Sequence, residues 1–96
     1  MIINFHSDPA RDIFDGEETR EARRIPQSIW TVAQRKLDLL NAAHSLLDLK
    51  APPANRLEAL KGSMKGKYSI RVNDEYRIVF VFHDGNASDV DIVDYH

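Results

Sequence analysis

The chain has no cysteine among its 96 residues. Disulfide frameworks, thiolate metal ligands and cysteine nucleophiles are therefore excluded at the outset. Glycine and proline are sparse, with four of each, so the few present act as punctuation rather than as filler in low-complexity tracts. No apolar run approaches the roughly 20 residues needed to cross a bilayer. The opening Met1-Ile2-Ile3-Asn4-Phe5-His6 carries neither a basic leader nor a long apolar stretch, so it does not read as a secretion signal. The expectation is one cytoplasmic domain spanning residues 1–96, with no membrane partner. The four histidines, at 6, 44, 83 and 96, show no ligand spacing, and neither a metal nor another cofactor is expected.

Charge is also scarce in net terms. The formal value of −2 argues mildly against a nucleic-acid partner. Its distribution says more. Residues 56–77 carry Arg56, Lys61, Lys65, Lys67, Arg71 and Arg77 against Glu58, Asp74 and Glu75, a local excess of three positive charges. Residues 78–96 carry four aspartates and no lysine or arginine. A phosphate-binding patch, if present, is confined to the basic segment.

What the chain does contain is periodic. Residues 2–6 read as a short strand. Asp8 and Pro9 form a helix start, Ile13 and Phe14 its buried side, and Gly16 its end. Residues 17–25 have mixed charge and read as a solvated connector; the alternative is a basic edge of Arg20, Arg23 and Arg24 that touches a partner. Ile29, Val32, Ala33, Leu37, Leu40, Ala43 and Leu47 repeat at helical spacing and predict one amphipathic helix over residues 26–47. Leu39 and Leu46 widen that stripe, Trp30 anchors the core edge, and His44 lies on the helix surface. Pro52-Pro53 places residues 48–55 in a linker. Residues 56–62 are left open between a short strand and a turn.

Three strand-like runs follow, at residues 67–72, Tyr76–His83 and 88–95. They are joined by turn signals at Asn73-Asp74-Glu75 and Asp84-Gly85-Asn86. The middle run is apolar on both faces, as a central strand should be. Together the pattern predicts an α+β fold: an N-terminal strand, two helices, then a three-stranded antiparallel meander with the helices packed on one face. The other face should be polar and hold Lys67, Ser69, Arg71 and Arg77.

The residue types on that polar face suit one reaction. Arg71 and Arg77 can grip a phosphate with bidentate hydrogen bonds, and Lys61 can reach the same anion from the preceding loop. Asp94, Tyr95 and His96 end the chain. Opposite charge nearby would raise the imidazole pKa and make it a proton donor near neutral pH. RNA cleavage by transesterification requires a base for the 2′-hydroxyl, a cation for the phosphoryl oxygens and an acid for the 5′-oxygen. Ordinary surface lysines and arginines on a small α+β domain would look much the same.

Several of these pieces match a family. They are Ile2-Ile3-Asn4-Phe5, Asn55-Arg56-Leu57-Glu58-Ala59-Leu60-Lys61-Gly62, Tyr68-Ser69-Ile70-Arg71-Val72-Asn73, Tyr76-Arg77-Ile78 and Asp91-Ile92-Val93-Asp94-Tyr95-His96. The chain resembles HigB-type toxins, a branch of the RelE-like ribosome-dependent ribonucleases of bacterial toxin–antitoxin modules. The resemblance implies cleavage of mRNA in the ribosomal A site, which inhibits translation and growth. It implies catalytic roles for Lys61, Arg77, Asp94, Tyr95 and His96, with the assignment of acid and base between Tyr95 and His96 open. RNA-phosphate contacts would fall to Arg71, Lys65, Lys67 and Arg56. The implied partners are the ribosome with its mRNA and a HigA-like helix-turn-helix antitoxin, with operator DNA bound only through the antitoxin complex. The low net charge departs from the basic habit of the superfamily. It leaves open a weak toxin, ribosome contact concentrated on residues 56–77, or a degenerate member. Two rival readings are a ParE-like gyrase inhibitor and a non-catalytic protein-interaction domain.

Overall fold

The computed structural model describes residues 1–95, and His96 lies outside them. Helix α1 (Asp8–Asp15) starts one residue earlier than the Asp8 cap implies: Ser7 is the N-cap, and Pro9 sits in the first turn. Gly16 ends the helix in the left-handed conformation (φ 74°), returning its N–H to the carbonyls of Asp12 and Ile13. Ser7 Oγ instead donates to Asp91 Oδ1 at 2.5 Å, which ties the helix start to the last strand.

The long helix expected over residues 26–47 is interrupted. A 3-10 turn at Gln27–Ile29 leads into α2 (Trp30–Ala42), and a separate helix α3 (Leu46–Lys50) follows. The break has a polar cause. The backbone N–H groups of His44 and Ser45 both donate to Asp48 Oδ2, at 2.9 and 3.3 Å, which opens a new helix start at Ser45. His44 therefore lies in the bend rather than on a helix, and Leu47, expected in the apolar stripe, is 73% exposed. Leu49, expected in a linker, is fully buried. The connector over residues 17–25 is also less solvated than its charges suggest. Ala22 and Ile25 are core residues, and Thr19 Oγ1 donates to the buried Asp12 carboxylate at 2.6 Å.

The sheet has four antiparallel strands in the order β1-β2-β3-β4: β1 (Glu58–Ala59), β2 (Tyr68–Arg71), β3 (Tyr76–His83) and β4 (Asn86–Asp94). The meander expected with three strands thus gains a two-residue edge strand from residues 56–62. Residues 2–6 form no regular strand. They run parallel to β4 through isolated bridges from Ile2 to Ala87 and from Phe5 to Val90. Asp84 and Gly85 both take positive φ, 50° and 76°, which makes the β3–β4 connection a two-residue turn of the twist-matched kind. Asn73 Oδ1 accepts from the N–H groups of Glu75 and Tyr76 and closes the β2–β3 loop.

Register sorts the two faces. Ile70, Ile78 and Ile92 stand side by side and form the core with Phe80, Val90, Leu37, Leu40, Ala33, Ile13 and Leu49. Helices α1 and α2 pack on this face. Trp30 lies at the core edge, its indole N–H donating to the Ile25 carbonyl at 2.8 Å. The opposite face carries Ser69, Arg71, Arg77, Val79 and Val93 by alternation. It is less open than a polar face would suggest, since Ser69, Arg77 and Val79 are all buried. Among the described residues no helix is long and apolar enough to cross a membrane.

Candidate active site

Arg77 is the second residue of β3, flanked by Arg71 on β2 and Val93 on β4. It is only 8% exposed, which is unusual for arginine and requires that its donors be used. Nε donates to Ser69 Oγ at 2.8 Å. Nη2 donates to the Arg56 carbonyl at 2.5 Å. Nη1 faces Glu58 Oε1 across 4.0 Å. The Tyr95 ring lies over the guanidinium, with Cζ 5.4 Å from the ring centroid, within cation–π range. Three stretches distant in sequence, at residues 56–58, Ser69 and Tyr95, thus surround one planar cation.

Beside this cation is an open cleft of about 500 Å³, lined by Glu58, Ala59, Leu60, Lys61 and Tyr95. Glu58 and Tyr95 belong to both the cleft wall and the surroundings of Arg77. Lys61 stands at the start of a 3-10 turn, Gly62–Met64. The turn is bracketed by Gly62 and Gly66 at φ 65° and 95°, conformations that a side chain would strain. The Leu60 N–H donates to the Lys67 carbonyl at 2.9 Å and closes the base of this loop.

Of the residues expected in a site, Lys61, Arg77 and Tyr95 come together around the cleft. Arg71 neighbours Arg77 in register, but its guanidinium bonds the exposed Asp74 carboxylate. Arg56 contributes its carbonyl, while its side chain is exposed. Lys65 is exposed on the loop after Lys61, and Lys67 is half-buried at its end. Asp94 stands opposite Tyr76 in register, and alternation puts it on the face away from Arg77. Burial, reinforced by the neighbouring Glu75 and Asp94 carboxylates, pushes the Tyr76 phenol above its ordinary value of 10.0. The expectation for His96 falls outside the described residues.

Sequence reasoning assigns no site role to four residues found around or behind the cleft. Glu58 enters the sequence reading as local negative charge and within the family-like stretch over residues 55–62, with no role of its own, although β1 sets it opposite Ser69 and therefore on the arginine's face. Alternation puts Ser69 on the polar face, yet it is fully buried and accepts from Arg77 Nε. Lys36 and Asn55 form a buried hydrogen bond behind the site. A signal for the lysine existed: position 36 falls at helical spacing with Ala33, Leu37 and Leu40, inside the apolar stripe.

Comparison with known proteins gives a consistent answer. A family model described as the RelE-like toxin of the type II toxin–antitoxin system HigB matches residues 4–96. Toxin HigB-1 of Vibrio cholerae is 48% identical over 71 residues, covering 74% of this chain and 75% of that protein. An uncharacterized protein of Haemophilus influenzae is 37% identical over 67 residues, 70% of this chain and 66% of its own length. Among solved structures, a YoeB-YefM complex from Staphylococcus aureus superposes over all of this chain and 95% of its counterpart, with a TM-score of 0.60 at 20% identity. A heterotetrameric YoeB-YefM complex from the same organism gives 0.55, also at 20% identity. At that identity these two likenesses bear on the fold alone.

Proposed function

The chain belongs to the HigB family of RelE-like toxins of type II toxin–antitoxin systems, and from that premise we propose that it is a ribosome-dependent endoribonuclease. It cleaves mRNA in the ribosomal A site by transesterification and so arrests translation and growth. The observation that carries this reading is the fixed Arg77 guanidinium, whose Nη1 faces the cleft wall at Glu58.

The chemistry follows from that edge. A scissile phosphate drawn to Nη1, with Lys61 on the cleft rim, meets two cations that offset the charge building on its equatorial oxygens. Cations held before the reaction starts need no reorganisation as that charge develops. Arg71, released from Asp74, adds a third. Glu58 is the carboxylate on the same wall and takes the proton of the 2′-hydroxyl. The 2′-oxygen then attacks phosphorus, a cyclic phosphate forms, and the 5′-oxygen leaves with a proton. We assign that proton to His96, with Tyr95 as the alternative donor. The half-exposed Tyr95 ring also offers a face on which an RNA base can stack.

Arg56, Lys65 and Lys67 contact flanking phosphates of mRNA or ribosomal RNA. Electrostatic contact is then concentrated on residues 56–77, which reconciles a polyanionic target with a net charge of −2. The partner in the cell is an antitoxin, which we infer to be a HigA-like helix-turn-helix protein, with operator DNA engaged only through their complex. Action on ribosomes places the toxin in the cytoplasm. Primer extension on translated mRNA tests the assignment. Wild type is expected to produce ribosome-dependent cleavage at the A-site codon; Arg77→Ala, Glu58→Gln and deletion of His96 are each expected to suppress it. Equal cleavage by all four proteins would overturn it.

A further inference from the structure

The carbonyl that holds Arg77 belongs to a residue that would not adopt its conformation unaided. Arg56 has φ 43° and ψ 57°, the left-handed region that is strained for a non-glycine residue. Left to itself, the chain there would prefer an extended or right-handed helical conformation and swing the carbonyl away from Arg77 Nη2. Something must hold residues 55–56 in place.

The preceding residue supplies the hold. Asn55 is fully buried. Its Oδ1 accepts from Lys36 Nζ, and its Nδ2 donates to the Leu49 carbonyl at 3.0 Å. Its backbone N–H donates to the Pro52 carbonyl at 3.0 Å, closing the 3-10 turn Pro53–Asn55. Three points of attachment, from α2, α3 and the Pro-Pro turn, converge on one side chain and its backbone.

Lys36 is the costly part of this arrangement. It is 7% exposed, and the group it donates to, Asn55 Oδ1, belongs to a neutral amide. Among the described residues no ion pair joins it to a carboxylate. A leucine or methionine at position 36 would continue the stripe of Ala33, Leu37 and Leu40 without placing a charge inside the protein. Among the described residues this buried cation has no counter-ion, an arrangement that costs stability and points to a role elsewhere.

We propose that Lys36 and Asn55 are positioning residues for the active site: they peg the left-handed Arg56 turn, whose carbonyl fixes the guanidinium of Arg77. The chain of contacts is continuous, from Lys36 Nζ to Asn55 Oδ1, through one peptide unit to the Arg56 carbonyl, and on to Arg77 Nη2. Neither residue touches substrate. Their effect is on the orientation of the cation that does, and a misplacement on the order of 1 Å costs about 100-fold in rate. This inference rests on the ribonuclease reading for its kinetic consequence, but its structural half stands without it.

The test uses 15N-labelled full-length protein and two independent readouts. In wild type, hydrogen bonds at Nε and Nη2 should restrain the Arg77 side chain and give a slowly exchanging Nε–H with separate Nη signals. In Lys36→Met we expect those signals to collapse to an average while cooperative melting persists. On ribosomes carrying mRNA, kcat should fall at least about tenfold with KM changed less than about threefold. Ile13→Val, which weakens the core far from the cleft, should lose melting temperature yet keep both the Arg77 signals and kcat. If Lys36→Met does not fold, Lys36→Gln, which keeps a donor on a shorter stem, takes its place with the same expectations. Unaltered Arg77 signals, or a kcat within twofold of wild type in a folded variant, would overturn the proposal. A wild type that cleaves no mRNA would overturn the function, and the resonance measurement would still decide the peg.

Discussion

At the residue scale the molecule turns on how one arginine is held. Arg77 uses separate edges of its guanidinium for Ser69, Arg56 and the side facing Glu58. A lysine offers a point charge on a flexible stem and cannot serve all three at once. Arg77→Lys is therefore expected to reduce mRNA cleavage by about 100-fold or more, the scale of losing one fixed donor to a developing oxyanion. It should also lower stability by about 1–3 kcal/mol by leaving the Ser69 hydroxyl and the Arg56 carbonyl without their partner. Primer extension and urea unfolding measure the two effects separately. Lys36 offers a test by pH. Burial, then the nearby Arg35 and Arg71 charges, lower its pKa from 10.5. Between the lowered folded value and 10.5 the unfolded chain binds more protons than the folded one, so stability from this group rises with pH in that window. The melting temperature of wild type should accordingly climb relative to that of Lys36→Met as pH approaches 10.5 from below. A constant difference would mean that the lysine titrates as it does in water. The basic residues of this site were legible because Lys61 and Arg77 lie in recognisable loop and strand-start positions. Ser69 and Asn55 were not, since nothing local marks a small polar residue as buried; only the register of distant strands and turns does so.

At the element scale the strands were easier to read than the helices. Alternation in β2 and β4 and the apolar run of β3 reflect burial on defined faces, and the Asp84-Gly85 turn supplies the positive φ that the hairpin needs. The apolar stripe over residues 26–47 gave the wrong helix length because periodicity does not register a break made by hydrogen bonds. Ser45 and Asp48 restart the helix three residues after α2 ends. The shortened α2 still lays Ala33, Leu37 and Leu40 on the sheet, while α3 brings Leu49 and its carbonyl up to Asn55. Asp48→Ala removes the acceptor of two backbone N–H groups and is expected to cost about 1 kcal/mol, read from the urea midpoint at unchanged slope. Because α3 carries an anchor of the Asn55 peg, the same variant should loosen the Arg77 signals more than its stability loss alone would. The two-residue β1 illustrates the opposite limit. So short a strand has no period to detect, yet its pairing with β2 is what turns Glu58 toward the cleft.

At the scale of the whole molecule, one face of the sheet does the folding and the other carries the proposed chemistry. The fully buried Leu37, Leu40, Phe80 and Val90 sit on the helix-covered side. Leu37→Ala should destabilise by about 2–5 kcal/mol, seen as a lower urea midpoint, without altering cleavage by the fraction that remains folded. The overall α+β architecture was legible in the order of periodicities, whereas the fourth strand and the burial of the second face came from pairing between distant segments. Net charge was the least informative property, since a value of −2 conceals the basic stretch over residues 56–77. If about four cations of that stretch meet phosphates, log K for ribosome binding should fall by about three per tenfold rise in salt. A slope near zero would remove the electrostatic basis of the interaction. The most direct measurement remains single-turnover cleavage of mRNA on stalled ribosomes by wild type and Arg77→Ala, both confirmed to be folded. Cleavage in the A site by wild type, slowed by about 100-fold or more in the variant, is the expected result; the same rate from both proteins would contradict the placement of catalysis at the Arg77 cleft.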